Sequence, residues 1–464
     1  MRKNGKHLQS YGYDDFQEFL ANFTMISKDP RLLYLSDAIF HLLLPREAGV
    51  EKRFKFGWFI WTLSILKKLI AVQLSTKAET PNTESSPQSP SYGFRFLDTP
   101  AHGGSLAPIL DQVPLTSRLL YGREGEPLEL MNSLSILGCR ASLRALKGAV
   151  TTARRIHSIV TLVTNSTNKY IPADFTARMA EFVLTQQLVL TSLRKNLCPH
   201  QAIFLTFELN PESKAWVQWA RDSGTRVIHV MHGQSLPIYQ ITMATDLVLF
   251  SKVDEQWFRE RVDPSIKLWT IGHPRLESTL ASVGLQETST SPRRPRIAFF
   301  SQPIECDYSR ELRMQDWKIL SGLNAAAEVR FRLHPREDRE TAIQDLKTLG
   351  LDFVEPSDAG LEEDLRWCDA IASSWSTVSM EAAVCGRGVF WTCSTPEKYE
   401  ASQALRDYGI GTLVQQVGDW KNHLQDWKCG GWDAPVMVPE SKLKKLGMIG
   451  DTQTPWAERL ELTS

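Results

Sequence analysis

From about residue 94 onward, short apolar runs stop abruptly at polar residues and alternate with stretches of helical period. The runs 202–207 (AIFLTF), 226–231 (RVIHVM), 246–250 and 267–271 read as strands, with helices over 170–196 and 212–222 between or before them. After a polar, proline-containing break at 285–294 the alternation restarts. Strands are predicted at 296–300 (RIAFF), 328–333 (EVRFRL), 352–354, 370–372 and 388–392, and helices near 309–323, 339–349, 361–368 and 377–385. Strands separated by helices of ten to fifteen residues imply βαβ units and parallel sheets. Such open α/β sheets hold ligands in the crevice at the carboxyl ends of their strands. The pattern divides the chain into a first α/β domain, 94–273, and a second, 296–400. The tail, 401–464, is expected to pack back across both.

The first 75 residues differ and predict a helical extension. The run 56–66 (FGWFIWTLSIL) is the most apolar in the chain and lies between Lys52, Arg53, Lys55 and Lys67, Lys68. Eleven residues of helix span about 16 Å, too short for a hydrocarbon core of about 30 Å. Two readings stay open: a buried helix, or a helix lying in a membrane interface through 52–68. Residues 76–93 are rich in Ser, Thr and Pro and read as a flexible linker.

Composition narrows the function classes. Lys plus Arg number 53 and Asp plus Glu 53, so no global field draws the chain to nucleic acid. Seven cysteines, an odd count without a C-x-x-C pair, fit free thiols in a reducing compartment, and the amino terminus has no signal-peptide core. A cytoplasmic protein is expected, with peripheral membrane contact as an added option. Asp352, Asp358 and Asp364 are dispersed, so neither a metal site nor a cofactor is expected.

The candidate chemistry sits at strand ends. His334-Pro335-Arg336 closes the 328–333 run; the imidazole can donate to a phosphate oxygen and Arg336 can add a charge-assisted fork. Ser373, Ser374, Ser376 and Thr377 follow 370–372, more hydroxyls than one helix cap needs, and suit an anion. Glu381, one turn past Thr377, is placed to accept ribose hydroxyls. In the first domain His232-Gly233 follows 226–231, and His232 is the candidate general base; Glu208 is a second carboxylate at the crevice rim. Gly272, His273 and Arg275, around Pro274, mark the hinge. A polar loop with Asp98 and His102-Gly103-Gly104 is a weak candidate for acceptor contact.

Strand–His-Gly, strand–Gly-x-Pro-Arg, strand–His-Pro and strand–Ser-Ser…Glu-Ala, in that order, resemble the GT-B glycosyltransferases that use cytidine-activated donors. The pattern is similar to bacterial sialyltransferases and polysialyltransferases, to CDP-glycerol glycerophosphotransferases and to capsule polysaccharide transferases, and covers about 200–395. The resemblance implies two Rossmann-like doubly wound domains facing across a cleft. It implies a donor phosphate held by His334 with Ser373, Ser374, Ser376 and Thr377, and His232 as acid/base. The acidic pair before glycine that serves some sialyltransferases has no counterpart; Arg123-Glu124-Gly125 stands instead. The expected partners are a nucleotide-sugar donor and a surface glycan or glycolipid acceptor. A non-hydrolysing sugar-nucleotide 2-epimerase and a non-catalytic polysaccharide-assembly protein of the same fold stay open beside the transferase.

Overall fold

A computed structural model describes residues 16–43, 92–95, 100–113, 118–121, 139–167, 169, 171–172, 174–233, 237–286, 293–304, 308–324, 326–394, 400–425, 427 and 437–462. The 52–68 segment, the 76–91 part of the linker, Asp98 and 123–125 lie outside these residues.

Among the described residues twelve strands form two six-stranded sheets, and every pairing within them is parallel. The first sheet runs β2 (Arg118–Tyr121), β1 (Tyr92–Arg95), β3 (Ala202–Leu205), β4 (Arg226–Val230), β5 (Asp246–Val248), β6 (Lys267–Trp269). The second runs β12 (Thr412–Val414), β11 (Gly388–Thr392), β10 (Ala370–Ser373), β7 (Arg296–Phe300), β8 (Glu328–Arg332), β9 (Glu355–Pro356). From the β9 edge this second order is 3-2-1-4-5-6, the doubly wound nucleotide-binding order, and its direction reverses between β7 and β10. In the first sheet the reversal falls between β1 and β3. The central strands β3, β10 and β11 are buried at every position, as expected for parallel strands covered on both faces of the sheet.

The elements differ from the sequence pattern at four places. The helix predicted over 170–196 begins only at Phe175, just past Pro172, and ends at Asn196. A 29-residue helix, Cys139–Thr167, precedes it. The strand expected at 352–354 is displaced to Glu355–Pro356 and is two residues long. The loop expected at 102–104 is instead part of the helix Pro100–Leu110.

Amino-terminal helices Phe16–Ser27 and Ser36–Leu43 bury Phe16, Phe19, Phe23 and Phe40 against Ile156, Val160, Met179 and Val183 of the two long helices. Apolar residues of both domains, Leu276 and Phe250 with Met380, Val384 and Trp391 among them, form one continuous core. Residues 437–462 return to the first sheet, where Trp456, Leu460 and Leu462 pack with Phe94, Phe204 and Val230. The return crosses the hinge closely: Gly272 N–H donates to the Gly447 carbonyl at 3.1 Å. Gly272 has φ +97°, and a Cβ there would stand 2.6 Å from the Gly450 nitrogen, so a side chain is doubly disfavoured.

Candidate functional site

The second-domain wall begins where β8 ends. Pro335 has no N–H and stops the ladder. The His334 N–H turns to donate to Glu337 Oε2 at 2.7 Å, and the Arg336 N–H donates to His334 Nδ1 at 3.2 Å. With Nδ1 accepting, the ring proton sits on Nε2, so the half-buried imidazole presents a donor. Burial first, and then the neighbouring Arg336 charge, lowers its pKa to about 4, which keeps it neutral near pH 7. Pro335 and Arg336 are exposed.

Glu337 was not singled out in the sequence, yet it holds this turn. Its buried carboxylate also accepts from Ser301 Oγ at 2.8 Å and Arg313 Nη1 at 3.1 Å, and burial raises its pKa. Arg313 lies on the helix Arg310–Lys318, one turn before Asp316. Asp316 is fully buried and accepts from Ser374 Oγ at 3.1 Å, Tyr308 Oη at 3.0 Å, and both the N–H and Oγ of Ser394 at 2.7 Å. Burial raises the Asp316 pKa despite these bonds. Residues three apart share a helix face, so one face braces both the His-Pro turn and the serine loop.

That bracing divides the hydroxyl cluster. Ser373 and Ser374 are buried, the former bonded to Ser379 Oγ at 2.9 Å and the latter to Asp316. Neither faces an open crevice, a correction to the expectation that all four hydroxyls line an anion pocket. Ser376 and Thr377 remain half-buried at the loop's outer side. The helix that follows, Val378–Val384, has only seven residues, so its dipole is a minor contributor to anion binding here.

Across from this loop stands the end of β4. His232 Nδ1 lies 2.7 Å from the Thr206 carbonyl, which can only accept, so Nδ1 carries the proton and Nε2 the lone pair. Phe207 and Tyr239 meet the ring edge-on at 5.8 and 6.0 Å. At Gly233 an added Cβ would lie 3.7 Å from Thr377 Oγ1. The His232-Gly233 turn of the first domain therefore meets the hydroxyl loop of the second.

Two further residues, Glu208 and Glu381, stand elsewhere than the sequence pattern implied. Glu208 is not at the rim: it is 3% exposed and accepts from Tyr34 Oη at 3.3 Å, Met243 N at 3.2 Å and the Thr242 hydroxyl. Burial works to raise its pKa, but His229, Lys214 and Thr242 outweigh that and hold the carboxyl below its ordinary value. Glu381 is 1% exposed and spans a bidentate pair with Arg275, Nε to Oε1 at 2.9 Å and Nη2 to Oε2 at 2.8 Å, so it faces a guanidinium rather than a ribose. His273 is fully buried, stacked on Phe250 with ring centres 3.8 Å apart. Its Nε2–H donates to the Met231 carbonyl at 2.7 Å, and burial lowers its pKa to about 3. Arg275 joins the two walls, since its Nη1 also donates to the His232 carbonyl at 3.1 Å.

Among the described residues no cluster of three or more His, Cys, Asp or Glu has metal-ligand geometry, and no helix is long and apolar enough to cross a membrane.

No protein-family model and no curated protein matches the chain. Among solved structures, the UDP-GlcNAc 2-epimerase of Neisseria meningitidis is similar at 9% identity and TM-score 0.45, over 80% of this chain and 99% of that one. The trehalose 6-phosphate synthase of Burkholderia multivorans is similar at 10% identity and TM-score 0.47, over 77% and 93%. The wall teichoic acid polymerase TagF is similar at 11% identity and TM-score 0.43, over 88% and 96%. The architecture itself, two doubly wound parallel sheets whose strand tips face each other with a carboxyl-terminal segment returning to the first, is GT-B.

Proposed function

We propose that this chain transfers a sugar, or a polyol phosphate, from a nucleotide-activated donor of cytidine type to a hydroxyl of a surface glycan or glycolipid. The observation that supports the reading is the meeting of Gly233 with Thr377, which sets a histidine with an Nε2 lone pair, at the end of β4, against the hydroxyl loop at the end of β10. The second domain takes the nucleotide. His334 Nε2–H and Arg336 bind phosphate oxygens, and the Ser376 and Thr377 hydroxyls complete the cradle. His232 Nε2 takes the acceptor proton as the acceptor oxygen bonds to the transferred group. The bond to the leaving phosphate oxygen breaks, and its electron pair goes to the phosphate held by His334. The Thr206 carbonyl at 2.7 Å steadies the imidazolium that results. With these groups meeting the phosphate charge, turnover is expected to persist in EDTA. Residues 52–68 are proposed to bring the enzyme to a lipid-linked acceptor at a membrane surface.

A thermal-shift panel with CMP, CDP, UDP and GDP tests the first part, and stabilisation by a cytidine nucleotide is expected. The panel is followed by incubation with the matching activated sugar, with and without acceptor. Turnover that needs an acceptor supports the transferase. An epimerised sugar without acceptor would assign the chain to the 2-epimerases, and no nucleotide binding at all would leave a non-catalytic assembly protein.

A further inference from the structure

We infer that Arg275 is a positioning residue that ties the placement of the His232 turn to the second domain, an inference that rests on the proposed role of His232. Beyond β4 the chain must leave the ladder, and the carbonyls of Met231 and His232 need partners outside the sheet. Both partners come from one hinge segment. His273 Nε2–H holds the Met231 carbonyl at 2.7 Å, and Arg275 Nη1 holds the His232 carbonyl at 3.1 Å. The hinge is itself fixed, because His273 caps the helix Pro274–Val283 by accepting from the Arg275 N–H at 3.3 Å.

The rest of the guanidinium faces the other domain. Glu381, on the short helix after the hydroxyl loop, takes Arg275 Nε and Nη2 in a fork, and Thr279 Oγ1 adds a bond to Oε1 at 3.2 Å. Glu381 is 1% exposed, so this pair is shielded from water and geometrically strict. A shift of the hydroxyl loop moves Glu381, Glu381 moves the guanidinium plane, and that plane holds the backbone of His232. A rotation of the second domain onto a bound nucleotide is thereby transmitted to the base. A merely structural pair needs only opposite charges; this one also needs the third N–H at position 275.

The test uses the full chain and three variants: Arg275→Lys, Glu381→Gln, and the reversed pair Arg275→Glu with Glu381→Arg. The reversed pair restores an ion pair between the domains but leaves no donor for the His232 carbonyl. Arg275→Lys is expected to lower kcat about 10- to 100-fold with the donor KM within about twofold, the size of effect that misplacing a catalytic group produces. The reversed pair should recover most of the Tm lost in Glu381→Gln but not kcat, and hydrogen exchange of the 226–233 peptide should stay faster than in the wild type. Recovery of kcat together with Tm would overturn the inference, as would wild-type exchange of that peptide in both Arg275→Lys and the reversed pair. If the wild type turns over no activated sugar, the functional reading fails, and the exchange measurement still decides the coupling.

Discussion

The Ser374 hydroxyl donates to Asp316 at 3.1 Å, with both side chains buried. A serine that reads in the sequence as a ligand to phosphate is thus part of the wall behind the site, while its neighbour Thr377 stands against Gly233 at the mouth. Removing the two hydroxyls should have separable effects. Ser374→Ala should cost about 1–3 kcal/mol of stability, since it takes a donor from a buried carboxylate, and should change nucleotide affinity little. Thr377→Val should leave the urea midpoint in place and weaken nucleotide binding about 5- to 10-fold, as expected for one lost hydrogen bond. Denaturant melts and calorimetric titration of both variants check the division.

Glu337 and Arg313, with side chains 2% and 4% exposed and 3.1 Å apart, carry the His-Pro turn. Glu337→Ala leaves Arg313 one partner fewer and releases the His334 N–H, and should cost about 3–5 kcal/mol. Glu337→Gln keeps the shape and one acceptor and should cost less. The ordering of the two variants in chemical denaturation is the check.

Lys214 and Asp37, 0% and 1% exposed and 2.9 Å apart, join the amino-terminal helices to the first domain. Asp37→Ala strands a buried ammonium and should destabilise by about 3–5 kcal/mol, whereas Asp37→Leu with Lys214→Met should restore most of that. A double variant as unstable as the single one would contradict this.

Stability should also respond to acid through His200, which packs edge-on against Trp219 and whose pKa burial lowers to about 4. Its folded pKa lies below its unfolded value of about 6.5, so unfolding takes up a proton as the pH falls between these values. The contribution is intact above about pH 6.5 and is lost progressively towards pH 4, by up to about 3 kcal/mol. His200→Gln removes the titration, so the stability gap between wild type and variant should narrow, or change sign, as the pH drops from 7 to 4. A gap independent of pH in urea melts would refute the assignment.

Much of this was legible from residue order. The strand ends at His232, His334 and Ser373 follow from apolar runs stopped by polar residues, and the two parallel sheets follow from the helical stretches between. The short strands β1, β2 and β12 did not stand out as apolar runs bounded by helical stretches. What a side chain does once folded was less visible, because it depends on distant partners. Ser374 meets Asp316 58 positions away, and Glu381 meets Arg275 106 positions away. A buried carboxylate among apolar helix residues did signal a task at Glu381, but the sequence offered no way to choose a guanidinium over a ribose. Glu337, three residues past His334, carried a weak signal: a carboxylate at that spacing can cap the turn's own N–H.

In the proposed mechanism, binding and proton transfer are divided between the two walls of one cleft. This division is tested most directly by titrating the cytidine nucleotide into the wild type, His334→Ala and His232→Ala, and assaying transfer in the same preparations. His334→Ala should lose nucleotide binding while staying folded, and His232→Ala should bind nucleotide as the wild type does but lose transfer by about 100-fold or more. Wild-type transfer in His232→Ala, or undiminished nucleotide binding in His334→Ala, would contradict it.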